Sequence, residues 1–153
     1  PSLGFATGGG WFIWPGTTEK TNFGFTMKYN KKATNVQGNL LVIRHHADGT
    51  ISRLKSNALD GLALKDSDGC GIATFSGKST YMTWDPEANE GLGGYVNTGG
   101  NPFSVYAEDC DEPGTGVDSF WIRSLDQLTM EKPAAKNAVP IGGGNIAVPH
   151  TAK

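Results

Sequence analysis

The stretch NFGFTMKY, residues 22–29, alternates without a fault. Phe23, Phe25, Met27 and Tyr29 share one side of a two-residue repeat, and Asn22, Gly24, Thr26 and Lys28 share the other. Successive side chains of a β-strand point to opposite faces, so the pattern predicts a strand with one face in a core and one in water. Downstream, QGNLLVIRHHADGTISRLKS (37–56) predicts a strand core at Leu40–Ile43, a hairpin turn at Asp48-Gly49 and a return through Ile51 and Leu54. ALDGLALKDSDGCGIATFSGKSTYMTW (58–84) reads as three further short strands cut by Gly and Asp. In NPFSVYAEDC (101–110), Phe103, Val105 and Ala107 alternate with Ser104, Tyr106 and Glu108. After the turn DEPGTGVD (111–118), SFWIRSL (119–125) directs Phe120 and Ile122 inward and Trp121 to the opposite face.

Composition agrees with this pattern. Gly makes up 22 of 153 residues, about twice the usual share. The periodic Ala, Leu, Glu and Lys runs of long helices are scarce. The one helix candidate, SLDQLTMEKPAAK (124–136), is broken by Pro133 and reads as a turn and a connecting arm. Residues 132–140 read as an extended linker that carries the final segment some distance from SFWIRSL. The expected fold is all-β: a single antiparallel β-sandwich, Ig-like or jelly-roll-like. It spans residues 1–153, with 1–12 and 132–153 as extended terminal segments.

Charge narrows the function classes. The net charge is −2, and no basic block exceeds Lys31-Lys32, so a nucleic-acid partner has no electrostatic footprint. No apolar run approaches the roughly 20 residues of a membrane helix, so no membrane span is expected. Pro rather than Met at position 1 points to a processed or trimmed chain.

Both ends place triple glycine beside apolar residues: Gly8-Gly9-Gly10 before Trp11, and Ile141-Gly142-Gly143-Gly144 before Asn145, Ile146 and Val148. Three glycines clear side chains from about 7–10 Å of strand. Such a patch fits against a bulky neighbour, and Trp11 and Trp14 are suitable rings. Both ends therefore read as pairing strands, held along their length rather than loose. A terminal strand on an extended arm closes its own sheet or completes the sheet of the next copy. Donation of Pro1–Phe12 or Ile141–Thr151 to the next copy would be head-to-tail and would generate filaments.

Several stretches together resemble a known domain: TGGGWF (7–12), NFGFTMKYNKKATNVQGNLLVIRH (22–45), ATFSGKST (73–80), VYAEDCDEPGTGVDSFWIRS (105–124) and GGGNIAVPH (142–150). They are similar to the Gly-rich β-domain of secreted bacterial proteins, the post-COAP-like domain. The resemblance covers nearly the whole chain, roughly Thr7 to His150. It implies an extracellular β-sandwich and no activity that carries over. The chain departs from that pattern in DPEANEGLGGYVNTGG (85–100) and in its two cysteines.

Cys70 and Cys110 are too far apart for a CxxC site. They read either as independent buried thiols or as one disulfide, which would suit an oxidising compartment. Asp109, Asp111, Glu112 and Asp118 bracket a turn and offer hard oxygens for Ca²⁺; the plainer reading is that they solvate and cap that turn. His45 and His46 are neighbours on a strand and face opposite ways, which disfavours a shared metal. Trp14, Trp84, Tyr95 and Trp121 are candidate stacking faces for glycans, although Trp121 also fits sheet packing. No Asn-x-Ser/Thr sequon occurs, and no nucleophile elbow, HExxH or P-loop pattern is present. The expected function is a non-enzymatic, secreted structural subunit of the bacterial surface that assembles with copies of itself without a required cofactor. The alternative is a carbohydrate-binding or adhesion module of a larger secreted protein.

Overall fold

The computed structural model describes residues 4–29, 35–67, 69–110, 118–124 and 139–148. Nearly all of it is antiparallel β-structure. β1 (Phe5–Ile13), β2 (Lys20–Tyr29) and β3 (Val36–His45) form a meander that continues into three longer strands. These are β4 (Ile51–Ser67), β5 (Cys70–Asp85) and β6 (Gly94–Asp109), with α1 (Ala88–Gly91) a single turn between β5 and β6. β7 (Ser119–Ser124), β8 (Val139–Pro140) and β9 (Gly143–Ala147) follow. The strands join in one sheet, in the order β8-β7-β6-β5-β4-β3-β2-β1-β9.

That sheet curls into a nearly closed barrel. The all-β, antiparallel expectation is what the structure shows. The expected division into two sandwiched sheets is not seen, because the hydrogen-bonded ladder runs unbroken from β8 to β9. The three short strands expected across 58–84 are instead parts of two long ones. Register shifts between Ser56 and Ala58 and between Leu59 and Gly61 mark where β4 departs from regular pairing. The Asp60-Gly61 pair, expected to turn the chain, sits in such a bulge, and bulges bend a strand without ending it.

The alternating residues fill the interior. Thr21, Phe23, Phe25 and Met27 of β2 are buried, as are Leu40 and Val42 of β3. Phe120 of β7 crosses the interior to meet Phe23 at 4.4 Å between ring centroids, Phe12 at 5.6 Å and Phe25 at 6.1 Å. Phe25 also meets Phe75 of β5 at 5.2 Å. Each buried ring contributes on the order of 2–3 kcal/mol by removal from water.

Inward positions of β1 carry small residues where β2 carries large ones. Gly8 stands opposite Phe25 and Gly10 opposite Phe23. A Cβ at Gly8 would come within 2.7 Å of the Phe25 ring. The glycines thus make room for the aromatic stack behind them.

Candidate functional site

The C-terminal segment closes the barrel by belonging to both of its edges. Val139 and Pro140 pair with Phe120 and Ser119 of β7. The Ile141 amide donates to the Asp118 carbonyl at 2.9 Å, and the Gly142 amide to the Trp11 carbonyl at 2.8 Å. One residue further, β9 is laddered to β1, with Trp11 facing Gly143, Gly10 facing Gly144, Gly9 facing Asn145 and Gly8 facing Ile146. The final segment was expected to lie some distance from SFWIRSL. It begins beside that strand and crosses the seam within two residues.

Glycine is required at this crossing. Gly144 has φ +94, and a Cβ there would strike the Gly9 carbonyl; a Cβ at Gly10 would strike the Gly143 carbonyl. On the outer face the Trp11 indole lies over Gly142 and Gly143, and the Lys20 ammonium sits 4.8 Å from the ring centroid. Trp11 is thus the aromatic neighbour of the glycine patch, while Trp14 plays no part in it. Ile141, Ile146 and Val148 are buried in the core.

Two carboxylates bridge what the ladder leaves open. Asp118 is fully buried; it accepts the Cys110 amide on Oδ1 at 2.8 Å and the Ile146 amide on Oδ2 at 3.0 Å. Asp109, also buried, accepts the Val148 amide on Oδ2 at 2.8 Å. A carboxylate accepting main-chain N–H groups satisfies donors that a missing strand would otherwise pair. Both residues belong to the candidate Ca²⁺ set, and both hold the terminal segment. Asp111 and Glu112 lie outside the described residues. Among the described residues, no three His, Cys, Asp or Glu side chains converge in a way that would hold a metal ion.

Cys70 and Cys110 form a disulfide just beyond the Gly71–Asp109 pair of the β5–β6 ladder. It fixes the chain next to Asp109 at the seam. Beside it, Tyr106 donates to Glu108 Oε2 at 2.6 Å; burial and that carboxylate both push the phenol well above its ordinary value.

A second feature lies at the opposite end of the strands. Glu19 Oε1 meets the Arg44 guanidinium at 2.6 Å, and Oε2 accepts the Ala47 amide at 3.0 Å. His46 lies 3.5 Å from Glu19 through Nδ1 and 2.6 Å from the Ser52 hydroxyl through Nε2. The Ala47 hydrogen bond holds the Glu19 carboxyl below its ordinary value, with partial burial opposing and Arg44 and His46 assisting. Glu19 and His46 of this network line a cleft of about 550 Å³ together with Thr83 and Trp84 of β5. Nothing in the sequence singles out Glu19; its partners come from the neighbouring hairpin and become visible only when β2 and β3 are in register.

The four aromatic candidates separate. Trp14 and Trp121 are buried, at 6% and 8% exposure. The Arg44 guanidinium lies 4.5 Å from the Trp14 ring centroid. Neither ring is presented outward, which corrects the expectation for both. Trp84 and Tyr95 are exposed, at 38% and 45%. They meet edge to face with centroids 5.1 Å apart. His45 bonds Asn22 while His46 bonds Ser52, so the two imidazoles do diverge.

Fold and seam together define a disulfide-bonded, barrel-like antiparallel domain sealed by its own C-terminal segment. Compared with family models, with curated proteins and with solved structures, the chain matches none. No helix among the described residues is long and apolar enough to cross a membrane.

Proposed function

We propose that the chain is a secreted, non-enzymatic structural subunit of the bacterial surface, in which Ile141–Val148 of one copy fills the seam of the next. It belongs, in this reading, with the Gly-rich, post-COAP-like β-domains. The observation that carries the proposal is the seam crossing. The segment is joined to β7 by residues 125–138, whereas β1 is tied to β2 by a short turn at Trp14–Glu19. Of the two ends, the C-terminal one is therefore the end to donate. Its grip combines main-chain pairing with three buried apolar side chains, the combination that makes a strand transferable between identical sheets. Donation in one direction does not close on itself and yields a filament.

Paired cysteines placed at Thr7 and Ala147, which face each other across β1 and β9, test the proposal. After oxidation at high protein concentration, crosslinks between chains give a ladder on a non-reducing gel, and electron microscopy shows fibres. Crosslinks confined within single chains, with no fibres, overturn it.

A further inference from the structure

The cleft beside Trp84 has the composition of a ligand site, and its chemistry selects among ligands. Its volume, about 550 Å³, lies in the range of small-molecule pockets. One wall is aromatic. The Trp84 ring rests against the open space left by Gly93 and is braced edge-on by Tyr95, so its orientation is set before any ligand arrives. The other wall is polar and acidic. The Glu19 carboxylate is balanced by Arg44, while Asp48 keeps its charge and accepts both the Thr50 amide at 2.9 Å and its hydroxyl at 2.6 Å on Oδ1. Hydroxyls of Thr50, Ser52 and Thr83 complete the lining.

No lysine or arginine is among the described lining residues, so an anion finds no counter-charge there. A cation finds the Glu19 carboxylate already paired with a guanidinium and Asp48 Oδ1 already taken by the two Thr50 donors. An apolar ligand would strip water from hydroxyls and carboxylates without replacing it. What remains is a neutral molecule with one apolar C–H face for the indole and hydroxyls for the acceptors opposite.

We propose that this cleft is a binding site for a neutral saccharide of one or two pyranose units, stacked on Trp84 and hydrogen-bonded to the Thr50 and Thr83 hydroxyls. The site is independent of the seam, and its occupancy does not depend on how copies associate. An open cleft with a single stacking ring binds weakly, with Kd of about 1 mM. The indole accounts for much of the affinity, so its loss weakens binding by at least about tenfold.

The test titrates the oxidised, full chain with cellobiose, maltose and N,N′-diacetylchitobiose, following amide and indole signals by NMR. Inorganic phosphate and tetramethylammonium serve as the anionic and cationic controls. A saccharide that shifts the Thr50, Thr83 and Trp84 signals supports the proposal, provided that Trp84→Ala weakens it about tenfold and Trp84→Phe retains most of it. Thr83→Val gives a second reading from a hydroxyl of the lining and is expected to weaken binding about threefold to tenfold. The absence of shifts with all three sugars, unchanged binding in Trp84→Ala, or binding of phosphate or tetramethylammonium alone overturns it.

Discussion

The carboxylate of Asp118 reaches across the seam to the amide of Ile146, 28 residues further along the chain, and accepts its hydrogen bond at 3.0 Å. The same carboxylate takes the Cys110 amide on its other oxygen. One buried side chain thus does for two strands what a ladder does elsewhere, and it needs both oxygens as acceptors.

Replacing Asp118 by Asn keeps the shape and removes one acceptor. An amide nitrogen would then face a main-chain N–H, and a buried donor would be left unsatisfied. The expected loss is about 3 kcal/mol of unfolding free energy, measured as a fall in the urea midpoint. Amide exchange in Gly143–Ala147 should quicken more than exchange in β2. An unchanged midpoint would show that the seam does not depend on this carboxylate.

The three N-terminal glycines are not equivalent. A Cβ at Gly10 collides with the main chain of the facing strand, whereas one at Gly9 meets nothing nearer than a carbonyl oxygen at 3.7 Å. Gly10→Ala and Gly144→Ala are expected to cost more than about 2 kcal/mol each, and Gly9→Ala to stay within about 0.5 kcal/mol of the parent. Thermal melts of the three variants make the comparison. Equal losses at all three positions would contradict this pairing of β1 with β9.

Glu19 has its carboxyl held below the ordinary value of 4.5, chiefly by the Ala47 amide. A depressed folded-state value means that the carboxylate is preferred in the fold. Its contribution is therefore complete above about pH 4.5 and fades as the pH falls through the lowered value. The melting temperature should drop less between neutral pH and about pH 3 in Glu19→Gln than in the parent chain. Identical pH profiles would remove Glu19 from the account.

Reduction of the Cys70–Cys110 disulfide opens a loop with a sequence separation of 40. On the chain-entropy description its loss costs about 4 kcal/mol. Because the bridge caps strands that are already paired, the reduced chain should keep its β-type circular dichroism in buffer and unfold at lower urea. Coincident urea curves with and without reductant would mean that the bridge contributes little.

What the sequence disclosed was local. The alternation of Phe23, Phe25 and Met27, the turn at Asp48-Gly49 and the pairing character of both glycine runs are written in neighbouring residues. Closure is not, since Gly10 meets Gly144 only after seven other strands have set the curvature. The bulges near Asn57 and Asp60 likewise hide in sequence, because a Gly or Asp that bends a strand resembles one that ends it. The acidic residues Asp109 and Asp118 stood out for their charge, yet their use follows from the amides brought to them by a distant segment. Trp14 and Trp84 look alike in the sequence, and only the neighbours across the sheet, Arg44 over one and Tyr95 beside the other, separate a covered ring from an open one.

The position of β9 between β1 and the seam also sets a schedule. A chain delivered from its N-terminus presents Phe5–Ile13 early, with one flank bare until Gly143–Ala147 arrives. Remote pairings of this sort form slowly. During that wait the outer edge of β1 is unpaired, and the barrel shuts only when its last strand is made.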